Sequence, residues 1–93
     1  MSKTYTLTAM PYAQARVIHM DNGCIALRSY KTIVATISEN GWLVINGLYS
    51  ATTRKHIGAF VKEYAKISYQ AARDLFEKNI SYNIYTGEVT PLL

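Results

Sequence analysis

The chain has 93 residues, of which 49% are hydrophobic, and it carries a formal net charge of +4. This length predicts one domain, residues 1–93, and the apolar fraction excludes global disorder. The longest strongly apolar stretch, Trp42 to Ile45, is far too short to cross a bilayer, and no basic segment followed by an apolar one stands at the N-terminus. The sequence therefore predicts a cytoplasmic protein with no membrane segment, in which the single Cys24 cannot form an internal disulfide.

The first third of the chain has the residue types of short β-strands. Residues 4–8 are rich in threonine and predict an edge strand or a loose arm. Residues 15–20 and 24–30 flank Asp21-Asn22-Gly23, which is a strong turn signal. These two runs predict a β-hairpin.

Residues 32–38 form the clearest predicted strand, because β-branched side chains dominate it. Strict alternation would place Ile33, Ala35 and Ile37 on a buried face and leave Val34 on the other face, which is partly exposed to solvent. Glu39-Asn40-Gly41 predicts a tight turn, and residues 42–45 return as a central strand. The tail, residues 80–93, alternates weakly and can add a strand, so we expect an antiparallel meander of three to five strands.

The apolar period changes from two to about 3.6 after Ser50. Ile57, Phe60, Val61 and Tyr64 follow the spacing of one helix face. This pattern predicts a main helix over about residues 51–66. A second short helix is predicted over about residues 69–78. The predicted fold class is α+β, with the main helix covering the sheet.

The helix start carries three hydroxyl side chains, on Ser50, Thr52 and Thr53. Backbone N–H groups point outward there and the helix dipole is positive, so these residues suit an anion such as phosphate. The same residues suit ordinary N-capping, with Ser50 accepting from the backbone N–H of Thr52 or Thr53. Both interpretations stay open on the sequence alone.

Catalysis and metal binding find little support in the sequence. His19, His56 and Cys24 share no metal-ligand spacing, and no Gly-rich phosphate loop or nucleophile motif is present. His56 lies beside the buried helix face, where it is either a hydrogen-bonded structural residue or a ligand-binding group. We therefore expect no catalytic residue, no metal and no cofactor.

The charge is unevenly distributed along the chain. Residues 1–62 hold seven basic and two acidic groups, whereas residues 63–93 hold three basic and four acidic groups. Tyr30 lies between basic side chains, a mixture suited to stacking on a base or to a protein interface. The predicted contact surface consists of Arg28, Tyr30, Lys31, Arg54, Lys55 and Lys62.

Three stretches of the chain also carry a resemblance: Pro11 to Val17, Leu27 to Ala35 and Gly47 to Ile57. Together they resemble an uncharacterised family of small proteins carried by phages, plasmids and other mobile elements of gut Firmicutes. The resemblance covers about residues 10–62. It implies a mobile-element accessory protein of a bacterial host cell rather than a metabolic enzyme, and it brings no established activity.

These observations predict a non-enzymatic binding protein that acts through its basic, tyrosine-containing surface. The expected partner is nucleic acid, or an acidic or nucleic-acid-binding host protein. One alternative is an inhibitor of a host defence nuclease, such as an anti-CRISPR protein. A second alternative is a structural or self-assembling small protein.

Overall fold

The computed structural model describes residues 2–92 and has the α+β architecture that the sequence predicts. Two helices are present in these residues, α1 (Ala51–Tyr64) and α2 (Tyr69–Glu77). The strands are β1 (Lys3–Tyr5), β2 (Ala15–His19), β3 (Ile25–Ser29), β4 (Thr32–Ile37), β5 (Trp42–Ile45), β6 (Ile80–Asn83) and β7 (Val89–Pro91).

All seven strands form one antiparallel sheet, in the spatial order β1 to β7. The expectation of three to five strands was therefore wrong. The two edge strands have three residues each, and all six of these residues are exposed. Such short segments bury too little to show an apolar pattern, and Pro91 at the end of β7 reads as a strand breaker. The tail supplies two strands, β6 and β7, where the sequence indicated at most one.

Strand β4 does not follow the predicted strict alternation, because the β3–β4 pairing shifts register between Leu27 and Arg28. Leu27 pairs with Ala35, but Arg28 pairs with Ile33, so Val34 is the extra residue of a β-bulge. Val34 is fully buried, whereas Ile33 is exposed. The bulge thus exchanges the burial of two neighbouring side chains, and the prediction for both was wrong.

Both helices begin at a serine N-cap. The Oγ of Ser50 accepts from the backbone N–H of Thr53 at 3.2 Å, as the sequence predicted, and the Oγ of Ser68 accepts from that of Ala71 at 3.1 Å. Helix α1 ends at Tyr64, before the predicted residue 66, because Lys66 adopts a left-handed conformation with φ 59°.

The helices pack on the same face of the sheet. One core cluster joins side chains from the central strands to α1, α2 and the segment after β1; its large members include Leu7, Leu27, Ile37, Leu43, Phe60 and Leu75. The helices leave the opposite face of the sheet uncovered. No helix among residues 2–92 is long and apolar enough to cross a membrane.

Candidate functional site

A buried chain of hydrogen bonds links the start of α1 to strand β3. The Oγ of Ser29 lies 2.8 Å from Nδ1 of His56 and 2.9 Å from the Oγ1 of Thr53. Thr53 in turn contacts Ser50, whose Oγ donates to the Oγ1 of Thr53 at 3.2 Å. Ser29 and His56 are 2% and 1% exposed, so this network lies inside the protein.

One direction of hydrogen bonding satisfies every hydroxyl of the network, and Nδ1 of His56, when the imidazole is neutral. Ser50 donates to Thr53, Thr53 donates to Ser29, and Ser29 donates to Nδ1 of His56. Each hydroxyl then donates once and accepts once, and the imidazole proton sits on Nε2. Burial lowers the pKa of His56, which favours this neutral form. The structure thus places His56 as a hydrogen-bonded residue of the interior.

The same network limits what the helix start can offer to an anion. Thr53 is 4% exposed, and its hydroxyl is engaged on both sides by Ser29 and Ser50. Ser50 caps the helix and is exposed, and the Thr52 side chain lies in solvent. The hydroxyl of Thr53 is therefore occupied, and only those of Ser50 and Thr52 reach the surface.

Tyr30 covers the network from outside. It occupies the tight β3–β4 turn with φ 56°, and its ring centroid lies 5.8 Å from that of His56. The ring is still 52% exposed, so one part contacts the protein while the rest faces solvent. Lys31, the next turn residue, is also exposed. This contact brings the turn of Tyr30 and Lys31 against the first half of α1.

Helix α1 presents three basic side chains to solvent. Arg54, Lys55 and Lys62 are all exposed, and within residues 2–92 none of them forms an ion pair with a carboxylate. Arg54 and Lys55 directly precede His56 in the sequence, so they lie within one helical turn of the residue that Tyr30 contacts. Together Tyr30, Lys31, Arg54 and Lys55 are the basic–aromatic patch.

Lys62 lies two turns further along α1, beside a groove between the two helices. The groove has a volume of about 660 Å³, and Gly58, Ile67 and Tyr69 contribute to its lining with Lys62 and Lys66. Gly58 lets the two helices approach closely beside the groove, since a Cβ there would lie 3.3 Å from the Cβ of Tyr69. The groove adds Lys66, a cation that the sequence did not single out, to the same side of the molecule.

Arg28 is separated from the other predicted contact residues by the sheet. Its neighbour Ser29 points toward α1, so by the alternation of a strand the side chain of Arg28 points to the uncovered face. There Arg28 pairs directly across from Arg16. The structure thus brings five of the six predicted residues to the helix side and places Arg28 on the opposite side.

Sequence reasoning missed Ser29 as a partner of His56. The two residues are 27 positions apart, and a lone serine at the end of a strand carries no signal for such a contact.

A second histidine, His19, lies in an aromatic cluster, with its ring centroid 4.8 Å from that of Tyr5 and its Nε2 3.4 Å from the Tyr64 hydroxyl. Burial, followed by the charge of Glu63 and by Tyr5, raises the pKa of Tyr64. Residues 2–92 contain no group of three or more acidic, histidine or cysteine side chains placed to hold a metal ion.

The fold and this site define a small α+β protein that carries a basic–aromatic patch over a buried hydroxyl–imidazole network. The chain belongs to a family of unknown function (DUF8033), whose model matches residues 1–78. The match confirms that the chain belongs to an uncharacterised family, and it covers more of the chain than the predicted resemblance over residues 10–62. Comparisons with curated proteins and with solved structures find no match.

Proposed function

We propose that this protein is a non-enzymatic binding protein that contacts nucleic acid through the basic–aromatic patch. The observation that carries the proposal is the packing of Tyr30 on His56, with ring centroids 5.8 Å apart. This packing holds a half-exposed aromatic ring, followed in the chain by Lys31, against the helix that presents Arg54 and Lys55 to solvent. Cations that contact phosphates beside a ring that stacks on a base are the elements of single-strand recognition.

The environment of the one serine–histidine pair supports a binding role over a catalytic one. A serine nucleophile must reach its substrate, and Ser29 and His56 are 2% and 1% exposed. The network also ends in Thr53 and Ser50, which are hydroxyls and not the carboxylate that would orient a catalytic histidine. The pair is suited to holding Tyr30 and α1 in place.

The cellular setting of the proposal comes from the sequence resemblance. The stretches Pro11 to Val17, Leu27 to Ala35 and Gly47 to Ile57 resemble proteins of phages and other mobile elements. We therefore place the protein in the cytoplasm of a bacterial host, as an accessory protein of such an element. An inhibitor of a host defence nuclease would use the same patch against an acidic protein surface.

Fluorescence anisotropy with labelled single-stranded DNA, duplex DNA and RNA tests the proposal. We expect binding at about 50 mM salt that weakens steeply as salt rises, because each neutralised phosphate releases counterions. Arg54→Glu with Lys55→Glu should abolish this binding. The control is Lys3→Glu with Lys78→Glu, which changes the net charge equally at two exposed positions outside the patch. No binding at low salt, or equal loss in both double variants, contradicts the proposal.

Substitution of the aromatic ring separates stacking from charge. Tyr30→Leu keeps an apolar cover over His56 but removes the stacking surface, and should cost about 1–3 kcal/mol of binding free energy per stacked base. Tyr12→Leu is the control, because Tyr12 is 98% exposed. A tagged pulldown from host lysate, with and without nuclease treatment, then identifies the class of partner. A protein partner retained after nuclease treatment favours the inhibitor over the nucleic-acid-binding protein.

A further inference from the structure

The face of the sheet opposite the helices carries an in-register row of side chains. Ile18 pairs with Ala26, Ala26 with Thr36, and Thr36 with Val44, so the row crosses strands β2 to β5. None of the four belongs to the core cluster. Ala26 is fully buried between its larger neighbours, while Ile18, Thr36 and Val44 are each partly exposed. A largely apolar surface of this kind is typical of an interface.

A shallow groove beside this row extends the apolar surface. It has a volume of about 330 Å³, and Cys24, Thr36, Trp42 and Val44 contribute to its lining. Trp42 lies two residues before Val44 on β5, so both side chains point to the uncovered face. Trp42 is the only tryptophan of the chain and is partly exposed. We name this surface, from Ile18 to Val44 with Trp42, the open face.

The two ends of the open face carry opposite charges. At the end where β2 leads into β3 and β4 into β5, the turns carry the exposed carboxylates Asp21 and Glu39. The two turns touch, since a Cβ on Gly23 would lie 2.9 Å from the Cβ of Glu39. At the other end lies the cross-strand pair Arg16 and Arg28. The open face is thus acidic at one end, apolar in the middle and basic at the other end.

This pattern is complementary to itself under one kind of two-fold symmetry. An axis that lies between two facing sheets and perpendicular to the strands reverses the strand direction of the second molecule. The basic end of each copy then lies over the acidic end of the other, and the two apolar rows meet in the middle. An axis parallel to the strands would instead place like charges against each other. We propose that the occupant of the open face is a second copy of this chain, packed in the first of these arrangements.

The dimensions of the molecule suit this interface. The chain extends 32 × 31 × 22 Å, and seven strands about 4.8 Å apart span about 29 Å, so the sheet occupies a broad face. A stable protein interface buries about 800 Å² on each partner, which a face of this size can provide. Sheets that pack face to face keep their strands nearly aligned, which keeps the charged ends in register.

The side chains of the open face suit a protein partner better than a nucleic acid. The Nη1 of Arg16 donates to the carbonyl oxygens of Ala13 and Ala15, at 2.9 and 2.7 Å, so its guanidinium is turned toward its own backbone. The row from Ile18 to Val44 carries no aromatic ring, and Trp42, the ring of the open face, lies at its acidic end beside the turn of Glu39, where phosphates would be repelled. The surface proposed for nucleic acid lies on the helix side, so the two proposals use different residues and can fail separately.

Sedimentation equilibrium and the fluorescence of Trp42 test the dimer with the whole chain. Wild-type protein should be a dimer at high concentration. Dilution should shift the fluorescence emission of Trp42 to longer wavelength, because dissociation exposes the open face to water. Arg28→Glu should weaken association about tenfold, because each charge pair occurs twice in a two-fold dimer. Lys55→Glu is the matched control, since it makes the same charge change on helix α1.

The orientation is tested by a charge exchange. Glu39→Arg should also weaken association about tenfold, and the double variant Arg28→Glu with Glu39→Arg should restore it, because the two charges then attract again. A wild-type chain that stays monomeric up to about 1 mM overturns the proposal. Equal weakening by Arg28→Glu and Lys55→Glu, or a double variant weaker than either single one, also overturns it. Circular dichroism of each variant shows that the fold is kept.

Discussion

The Oγ of Ser29 lies 2.8 Å from Nδ1 of His56, and this contact joins the last residue of β3 to the middle of α1. Both side chains are buried, and Thr53 binds the same Ser29 oxygen from one helical turn earlier. A single serine hydroxyl thus satisfies two polar groups of the helix. Among residues 2–92, no buried side-chain nitrogen or oxygen atom lacks a hydrogen-bond partner. Removal of a member of this network should therefore lower the free energy of unfolding.

Ser29→Ala should lower the free energy of unfolding by about 1–3 kcal/mol, because it leaves His56 and Thr53 without their shared partner in the interior. Urea denaturation followed by circular dichroism measures the change. Thr52→Ala removes a hydroxyl from an exposed position of the same helix and should change stability by no more than about 0.5 kcal/mol. Equal effects of the two substitutions would show that the buried contact contributes nothing.

Acidification should destabilise the protein through His56. Burial lowers the pKa of His56 below its ordinary value of 6.5, so near that pH the unfolded chain binds a proton that the folded chain does not. The free energy of unfolding is therefore fully kept above about pH 6.5 and falls as the pH decreases below it. Urea midpoints measured between about pH 5.5 and 7.5 follow this change while most carboxylates stay ionised. His56→Gln should flatten the profile, and an unchanged slope in that variant assigns the dependence to another group.

The N-cap of α1 gives a third expectation. Ser50→Ala should cost about 1 kcal/mol, because the backbone N–H of Thr53 loses its acceptor. Ser50→Asp should keep most of the stability, since a carboxylate accepts the same bond and interacts favourably with the helix dipole. Thermal and urea unfolding of the two variants compare them directly. An alanine variant as stable as the aspartate variant would contradict the capping role.

Two glycines with similar positive φ angles provide a matched pair. Gly23 and Gly87 have φ of 89° and 78°, a region that other residues rarely adopt. A Cβ on Gly23 would lie 2.9 Å from the Cβ of Glu39, whereas a Cβ on Gly87 would meet nothing within 4 Å. Gly87→Ala should cost about 1 kcal/mol from backbone strain alone, and Gly23→Ala should cost more. Equal losses would mean that the two neighbouring turns move apart freely.

The sequence predicts the parts of this fold that are set by local patterns. The change of period after Ser50 locates α1 and its cap, and Asp21-Asn22-Gly23 locates the first long hairpin. These signals are strong because they depend on residues close together in the chain. The strands β1, β6 and β7 are harder to predict, since they are three or four residues long and owe their conformation to the neighbouring strand.

Contacts between residues distant in the chain determine the features of the fold and site that the sequence does not predict. The bulge at Val34 depends on the register in which β4 pairs with β3, and no residue type in β4 predicts it. The separation of Arg28 from Arg54 and Lys55 follows from the direction of Ser29, which is decided by its partner in α1. The sequence therefore identifies the basic residues, and only the structure assigns them to two opposite sides of the molecule.

The short edge strands bear on how the protein can associate. β1 and β7 lie at opposite edges of the sheet, each has three residues, and β7 ends in Pro91, which has no N–H to donate. A long free edge would let further molecules add their strands one after another and extend the sheet into a fibre. These edges are too short for such growth. In the proposed dimer, by contrast, each molecule has only one open face, so the association ends at a pair and leaves both helix sides accessible.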